Sequence, residues 1–435
     1  MKRVVVTGIG SVSPLGNSFD LAWAAMKAGR SGISQVTGFE TSGLPCRVAG
    51  QLRDFDKEEG FSAKEMRRLD RFVLYAVAAA AMALEDAGLM ESYESQAASY
   101  QSKKKSYSDN LSLVTPHSSL NSAGVIIGSS RGGISTIEKA LSRSRTQNPR
   151  LKQCRVSPYL MPSTTISMAA SYVAQRFGIR GHCLGISNAC ASGANAVGEA
   201  FRAIKSGYSE MIVAGGAEAP ICRLCIEGYG ASGALSSRTM ETPRPFDRDR
   251  DGFVLSEGAC LLVLEDLEKA KERGANIYGE VVGYGNTSDA FHMTKPHPGG
   301  EAEAIRTALK DANLSTDDVD YVNAHGTGTK IGDAAESKAI REVFGKRGST
   351  IPVSAIKSMT GHMLATSGAF EIASTLKSIG EGIIPPTINL DNKDAACDID
   401  VVTEKTEADI DIAVSNSFGF GGVNAVVVLK KQRSA

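Results

Sequence analysis

The run MIVAGG at residues 211–216 and the run ACLLVLE at 259–265 decide the fold class. Both are short and apolar, and neither alternates between apolar and polar positions, which is typical of strands buried on both faces. Runs of the same kind recur along the chain: VVVTG at 4–8, AGVIIGS at 123–129, YGEVVGYG at 278–285, VDYVNAHG at 319–326, PVSAIKS at 352–358 and AVVVLKK at 425–431. We therefore expect sheets that are covered by helices.

Helical segments alternate with these strands, which makes the predicted fold α/β. In one of them Ile166, Ala169, Val173 and Phe177 recur with a helical period. A charged stretch at 268–274 divides the chain into two α/β halves, 1–267 and 268–435, without a strong residue-level repeat between them. The predicted helices cover residues 63–87, 164–177, 193–206, 300–313 and 334–344.

Length and charge exclude several classes of protein. The 435 residues exceed a single-core domain, so we expect two domains or one duplicated architecture. Lys and Arg number 48 against 48 Asp and Glu, which argues against a nucleic-acid binder that works by bulk charge. The longest uncharged apolar stretch, 72–84, is too short to cross a bilayer, and no secretory signal precedes it, so we expect a cytoplasmic protein.

A Ser-rich segment near residues 90–122 stands apart from the rest of the chain. It contains the run Lys103, Lys104 and Lys105 and almost no periodic apolar pattern. Such a composition buries too little apolar surface to offset its ordering entropy. We expect a surface insertion into the N-terminal half.

Cys190 is the first candidate for chemistry. It lies in SNACASG at 187–193, between a strand-like run and the predicted helix that begins at Gly193. The positive end of a helix dipole favours the thiolate over the thiol, whose usual pKa is about 8.5. Cys190 is therefore a candidate nucleophile, with a buried structural cysteine as the alternative.

Two of the six histidines stand in unusual surroundings. His325 opens HGTGT at 325–329, where glycines allow a ligand to approach the backbone and Thr327 and Thr329 offer hydroxyl groups. His362 lies in KSMTGHMLATSGA at 357–369, five residues after Lys357. Glycine-rich loops also occur in ordinary turns, so neither loop is decisive alone.

A glycine-rich segment near the C-terminus, NSFGFGG at 416–422, contains Phe418 and Phe420. Its backbone N–H groups can point into a cavity, as an oxyanion hole requires, and its phenyl rings can wall an apolar pocket. A simple hairpin turn is the alternative.

The other cysteines and histidines indicate no metal or redox site. Cys222 and Cys225 form the one CxxC of the sequence, without a second pair or a neighbouring histidine. The eight cysteines are scattered, as in a protein that keeps its thiols reduced. The remaining histidines fit no spacing for a metal site; they are His117, His182, His292 and His297.

Four motifs in this order, SNACASG, HGTGT, KSMTGH and NSFGFGG, resemble those of the β-ketoacyl-ACP synthases of the thiolase superfamily, most closely the type II enzymes of dissociated fatty acid synthesis. The likeness runs from Arg3 to Lys430 and includes RPFDRDRDGFVLSEGA at 244–259. It implies a thiolase-like, duplicated, five-layered α-β-α-β-α architecture. It also implies an acyltransferase that performs the decarboxylative Claisen condensation of malonyl-ACP with a bound acyl group, in fatty acid, related lipid or polyketide elongation.

The resemblance assigns roles to the candidate residues. Cys190 would take the acyl group from the phosphopantetheine thioester of a carrier protein. His325 and His362 would bind the thioester carbonyl of malonyl-ACP during decarboxylation, where two imidazole donors stabilise the developing enolate. Backbone N–H groups of Cys190 and Phe420 would hold the oxyanion of the condensation step.

Further residues match the family in the same way. Lys357 matches its active-site lysine and Glu371 the acidic partner that a buried lysine needs. Thr327 and Thr329 match the hydroxyls that hold the pantetheine arm. Phe420 matches the aromatic residue that gates the acyl pocket, with Phe418 behind it. No metal or other cofactor is implied, because the phosphopantetheine arrives on the carrier protein.

The resemblance also implies a homodimer that docks an acidic acyl carrier protein and binds neither nucleic acid nor membrane. Lys64, Arg67 and Arg68 match the basic docking patch, and a solvated helix face is the alternative. The segment SPYLMPST at 157–164 should lie near the dimer interface. A second basic stretch at 139–155 could compensate for Gly233, which stands where relatives often have an arginine.

One departure concerns the acyl pocket. The family places a small or aliphatic residue in the Gly-Ser-x-x-Gly-Gly turn at the pocket floor, and this chain has Arg131 there. A guanidinium is always charged, so it must pair with an acid, turn to solvent or read a polar acyl group. Arg131 therefore predicts short or polar-ended acyl substrates.

Three other functions remain open at this stage. A thiolase acting on CoA would use a second cysteine where this chain has His362. A non-elongating, chain-length-determining partner of a heterodimeric synthase would typically lack Cys190. A redox-sensing protein built on Cys222 and Cys225 is the third alternative.

Overall fold

The computed structural model describes residues 1–53, 55, 60–90, 118–146 and 156–432. Most of the Ser-rich segment predicted near 90–122 and the last part of the basic stretch at 139–155 lie outside the described residues. Where the description resumes, a 3₁₀ turn at Ser118–Asn121 leads into a strand.

The strands begin and end in chain order as follows: β1 Val4–Val12, β2 Ser34–Gln35, β3 Val48–Ala49, β4 Gly124–Gly128, β5 Cys183–Ile186, β6 Met211–Glu218, β7 Gly258–Asp266, β8 Gly279–Ser288, β9 Tyr321–Asn323, β10 Pro352–Ser354, β11 Ile383–Ile384, β12 Asp400–Val401, β13 Thr406–Glu407, β14 Ile412–Gly419 and β15 Val423–Lys430.

The α-helices of the described ranges are α1 Phe19–Lys27, α2 Ala63–Arg68, α3 Arg71–Asp86, α4 Ile134–Thr146, α5 Leu160–Thr164, α6 Met168–Phe177, α7 Ser192–Lys205, α8 Arg223–Ala231, α9 Leu267–Glu272, α10 Pro298–Ala312, α11 Lys330–Phe344, α12 Lys357–Thr360 and α13 Ala365–Glu381.

The strand order contains an internal duplication. Eleven strands form one hydrogen-bonded sheet, in the order β12-β10-β9-β14-β15-β8-β1-β7-β6-β4-β5. On one side the sheet runs from β1 through β7, β6 and β4 to β5, where the first two pairs of neighbours are antiparallel and the last two are parallel. On the other side it runs from β8 through β15, β14 and β9 to β10, again with two antiparallel pairs followed by two parallel pairs. The two halves therefore share one topology and join where β1 pairs with β8.

Helices cover this sheet in layers. Helix α3 packs on β1, β6 and β7, and α10 packs on β8 and β15. Helices α7 and α13 pack on each other and contact strands of both halves. Helices α7 and α13 lie between the two halves of the sheet, and α3 and α10 cover the outer faces of those halves. Each half of the sheet is thus one β layer, and the result is the five-layered α-β-α-β-α arrangement that the resemblance implies.

The apolar strands are buried on both faces, as their composition predicted. Successive side chains of a strand point to opposite faces. Ile212 and Ala214 of β6 accordingly lie in the central hydrophobic cluster, and Val213 between them lies in the cluster beneath α3. In β15, Val427 faces the central cluster and Val426 the cluster beneath α10.

Glycine allows α7 and α13 to cross at close range. A Cβ atom on Gly193 would lie 2.2 Å from the carbonyl oxygen of Ala365. A Cβ atom on Gly368 would lie 2.9 Å from the backbone nitrogen of Ala194. Any larger residue at either position would push the two helices apart, and both helices begin at the cavity described below.

Three boundaries differ from the sequence predictions. The helix predicted over 63–87 is two helices, because Asp70 caps a new one by accepting a hydrogen bond from the backbone N–H of Phe72. The strand predicted over 352–358 ends at Ser354, so Lys357 begins the short helix α12. The segment 416–422 ends β14 and turns into β15, as the hairpin alternative required.

None of the helices in the described ranges is both long and apolar enough to span a bilayer. The division near Leu267 falls where α9 begins and remains a prediction.

Candidate active site

One cavity of about 470 Å³ gathers most of the residues singled out above. It lies where the turn before α7, the loops after β9 and before α13, and the β14–β15 hairpin meet. Its lining includes seven of the predicted site residues: Cys190, His325, Thr327, Thr329, His362, Phe418 and Phe420. Lys357 and Glu371 lie directly behind His325 and are each about 1% exposed.

Cys190 lies in a 3₁₀ turn, Ala189–Ala191, immediately before α7. Ala189 has a φ of 46°, in the left-handed region that non-glycine residues seldom adopt, so the turn is strained. Burial raises the pKa of the Cys190 thiol to about 11, although the charge of Lys357 and a hydrogen bond from the backbone N–H of Phe420 favour the thiolate. Burial therefore opposes the thiolate that the helix dipole favours.

His362 approaches the sulfur directly. Its Nε2 lies 3.0 Å from Sγ of Cys190. On the other side of the ring, Oγ of Ser367 lies 3.2 Å from Nδ1 and accepts a hydrogen bond from the backbone N–H of Met363. The Ser367 hydroxyl can donate its own hydrogen to Nδ1, and we assign the bond in that direction. This assignment leaves the imidazole proton on Nε2, facing the thiol.

His325 is held by Lys357. The lysine Nζ lies 3.2 Å from Nδ1 of His325, donates to the His325 carbonyl oxygen at 2.6 Å, and forms an ion pair with Glu371. An ammonium group can only donate, so Nδ1 accepts and the His325 proton is on Nε2. The ring centroids of His325 and His362 are 5.4 Å apart. Two neutral N–H donors therefore serve the same cavity.

The neutral state of both rings has a physical cause. Burial lowers the pKa of His325 well below its usual range, and the charge of Lys357 lowers it further. The same two effects act on the pKa of His362. Burial raises the pKa of Glu371 to about 7, against the opposing charge of Lys357. At neutral pH both imidazoles can donate hydrogen bonds without being charged.

Two anchoring carboxylates were not singled out in the sequence. Glu336 on α11 accepts hydrogen bonds from the backbone N–H groups of His325 and Gly326, both at 2.8 Å, and fixes the HGTGT loop. Glu218 at the end of β6 accepts from the backbone N–H groups of Ser130 and Arg131. Both carboxylates accept hydrogen bonds from backbone N–H groups. Almost every residue has such a group, so the sequence does not indicate these contacts. Ser367, by contrast, lies inside a recognised motif.

Arg131 is not among the residues that line the cavity. Its Nε donates to Oη of Tyr229 at 2.8 Å, and its guanidinium lies 5.2 Å from the centroid of that ring. Tyr229 itself lines the cavity beside Cys190. Within the described ranges no carboxylate forms an ion pair with Arg131, which is exposed in the single chain. The sequence predicted that Arg131 pairs with an acid, turns to solvent or binds a polar acyl group. The described residues show no pairing with an acid.

The remaining predicted residues lie outside the cavity. Lys64 and Arg67 are exposed on α2, and the guanidinium of Arg68 stacks on Tyr159 at 4.2 Å. Cys222 and Cys225 are buried free thiols. Over the described part of the chain no group of three or more potential ligands could hold a metal ion.

Comparisons with known proteins identify the family of the chain. The model for the N-terminal domain of β-ketoacyl synthases matches residues 1–270, and the model for the C-terminal domain matches residues 278–391. The chain is 41% identical over 436 residues to a 3-oxoacyl-[acyl-carrier-protein] synthase 2 from Synechocystis sp., covering 99% of this chain and 98% of that protein.

Solved structures extend the comparison to the fold. The ishigamide ketosynthase/chain length factor superimposes with a TM-score of 0.87 at 35% identity, covering 99% of this chain and all of that one. A type II polyketide synthase acyl carrier protein in complex with its ketosynthase bound to the hexaketide gives a TM-score of 0.84 at 33% identity, with 99% and 100% covered.

Proposed function

Because this chain belongs to the β-ketoacyl synthase family and is a condensing acyltransferase, we propose that Cys190, His325 and His362 perform its reaction. The reaction is the decarboxylative Claisen condensation of malonyl-ACP with an acyl group held on the enzyme. It needs no cofactor of the enzyme's own, because the pantetheine thioester arrives on the carrier protein.

In the first half-reaction the sulfur of Cys190 attacks the carbonyl carbon of an acyl-ACP thioester. The acyl–sulfur bond to pantetheine breaks, an acyl–Cys190 thioester forms, and the thiol proton leaves with the departing pantetheine thiol. The thiolate needed for attack is stabilised by the Nε2–H of His362 at 3.0 Å and by the backbone N–H of Phe420. These donors oppose the effect of burial, which raises the pKa of the thiol.

In the second half-reaction malonyl-ACP occupies the same cavity and loses carbon dioxide. Negative charge develops on its thioester oxygen, where the Nε2–H groups of His325 and His362 stabilise the enolate. The enolate carbon attacks the acyl–Cys190 carbonyl, whose oxyanion is held by the backbone N–H groups of Cys190 and Phe420. The bond to Sγ then breaks, and β-ketoacyl-ACP leaves.

The observation that carries this proposal is the 3.0 Å contact between Cys190 and a neutral histidine inside a cavity with a second neutral histidine. Its test is direct. After incubation with a panel of acyl-ACPs and digestion, mass spectrometry should find one acyl group on the peptide that contains Cys190. An unmodified Cys190 peptide beside an acylated peptide elsewhere would contradict the proposal.

We further propose that Arg131 limits the acyl chain. It holds Tyr229, which lines the cavity next to Cys190, so a chain that grows past Tyr229 meets a guanidinium without an acid partner in the described ranges. Burying that charge beside methylene groups would cost several kcal/mol. The enzyme should therefore favour short or polar-ended acyl groups.

Arg131→Ile should shift the preference towards longer saturated acyl-ACPs, because it removes the charge and leaves an apolar wall. The measurement is kcat/KM against chain length for both proteins. Arg202→Ile is a matched control, since Arg202 lies over the ring of Tyr284, which is not among the residues that line the cavity. An unchanged profile for Arg131→Ile would show that Arg131 points away from the acyl chain.

The partner is an acyl carrier protein, and we propose that it docks on Lys64, Arg67 and Arg68.

We also propose a homodimer whose interface lies near residues 157–164, where Tyr159 and Met161 are exposed apolar side chains. The cytoplasmic location and the two domains that meet near residue 267 stay predictions. Cys190 beside His362 argues against the alternative, a non-elongating partner of a heterodimeric synthase.

A further inference from the structure

Glu301 is a buried carboxyl group at the cavity that the mechanism above does not use. It lies in the first turn of α10, is about 1% exposed and is among the residues that line the cavity. Two residues later on the same helix, Glu303 is exposed. The face of α10 that carries Glu301 therefore turns towards the space that holds Cys190 and the two histidines.

Glu301 lacks the partners that its neighbours have. The carboxyl groups that face it belong to Asp289, Asp333 and Glu336. Asp289 accepts from Asn424 at 2.7 Å, Asp333 from the backbone N–H of Phe246 at 2.8 Å, and Glu336 from the HGTGT loop. Oε2 of Glu301 has no hydrogen-bond partner. No ion pair to Glu301 is found in the described ranges either.

The surroundings of Glu301 define its chemistry. Burial and the three neighbouring carboxyl groups hold the pKa of Glu301 well above its ordinary value, so the group keeps its proton. A protonated carboxyl has one O–H donor and can also accept hydrogen bonds. Leaving such a group unpaired destabilises the fold. A ligand that enters the cavity and supplies the missing partner would account for its presence.

We propose that Glu301 binds a secondary amide of the pantetheine arm. This inference rests on the proposed function, in which that arm crosses the cavity to deliver its thioester to Cys190. Thr327 and Thr329 line the same cavity, and Asp333, which acts on the pKa of Glu301, accepts a hydrogen bond at 3.1 Å from the backbone N–H of Gly328 between them. An arm held by these threonines therefore passes near Glu301. The arm carries amide carbonyl and N–H groups, which match the donor and acceptor of a protonated carboxyl. The Glu301 O–H donates to an amide carbonyl of the arm.

The test compares Glu301→Leu and Glu301→Gln with malonyl-pantetheine and malonyl-ACP as substrates. Leucine has a similar volume but no polar atom, so KM should rise about tenfold, the loss of one hydrogen bond, while kcat stays within about threefold. Glutamine keeps a donor and should restore KM. Glu303→Leu is the matched control on the same helix and should leave KM unchanged, since Glu303 is exposed.

Thermal unfolding separates binding from a structural role. Because Glu301 is unpaired in the empty cavity, Glu301→Leu should unfold at the same temperature as the natural protein or at a higher one. A raised KM with an undiminished Tm supports the inference. An unchanged KM in Glu301→Leu overturns the inference. A raised KM together with a lowered Tm also overturns it if Glu301→Gln does not restore KM. If Glu301→Leu has the KM and kcat of the natural protein, this inference alone fails and the proposed function still stands.

Discussion

Replacing Cys190 by alanine should abolish condensation, with a loss of at least about a thousandfold in kcat. Cys190 is the nucleophilic side chain that both contacts His362 and lines the described cavity, whereas Ser367 contacts the far side of the ring and is not among the lining residues. Alanine fits the turn before α7, because residue 190 does not have a positive φ and the substitution only removes the sulfur atom. The measurements are β-ketoacyl-ACP formation and the Tm, which should stay near that of the natural protein.

Two further variants sharpen this result. Cys183→Ala removes an exposed thiol outside the cavity and should leave condensation intact. Cys190→Gln should still release carbon dioxide from malonyl-ACP, since His325 and His362 remain in place. Condensation that persists in Cys190→Ala would remove the nucleophile assignment altogether.

Replacing either His325 or His362 by alanine should slow malonyl-ACP decarboxylation by about a hundred- to a thousandfold, the usual effect of losing one oxyanion donor. His325→Ala should nevertheless still accept an acyl group on Cys190, because His362 and Phe420 hold the sulfur. Lys357 should remain in place in that variant, since it keeps Glu371 and the carbonyl oxygen of residue 325 as partners.

The measurements for the histidine variants are carbon dioxide release and the acyl adduct on Cys190, made on the same preparations. His182→Ala is the matched control, because His182 packs against Tyr208 outside the cavity. A His325→Ala protein that decarboxylates normally but cannot be acylated would show that the two histidine roles are wrongly assigned.

The sequence predicted the α/β class because parallel strands buried on both faces leave continuous apolar runs such as residues 211–216. It implied the duplication through chain length and the family resemblance, and not through a strong residue-level repeat between the two halves. It also joined α2 and α3 into one helix, since the helix start at Asp70 depends on a side-chain cap within an otherwise helical pattern.

Residue type and local sequence singled out Cys190, His325 and His362, and the family resemblance added the Lys357–Glu371 pair. Glu336 escaped prediction because it acts on backbone N–H groups that every residue possesses. The effect of burial on the Cys190 thiol was missed for a different reason. The helix dipole can be read from the sequence, whereas burial, which raises the thiol pKa, depends on tertiary packing.

The central layer also has a consequence for the order in which the chain is made. Helix α7, which directly follows the turn that contains Cys190, leaves the ribosome about 160 residues before α13. At ordinary rates of synthesis this separation is a delay on the order of 10 to 30 s. Until then the face of α7 that will pack on α13 has no cover. The Phe420 N–H follows later still, in the hairpin between the last two strands. The nucleophile is therefore present in the nascent chain well before the groups that will activate it.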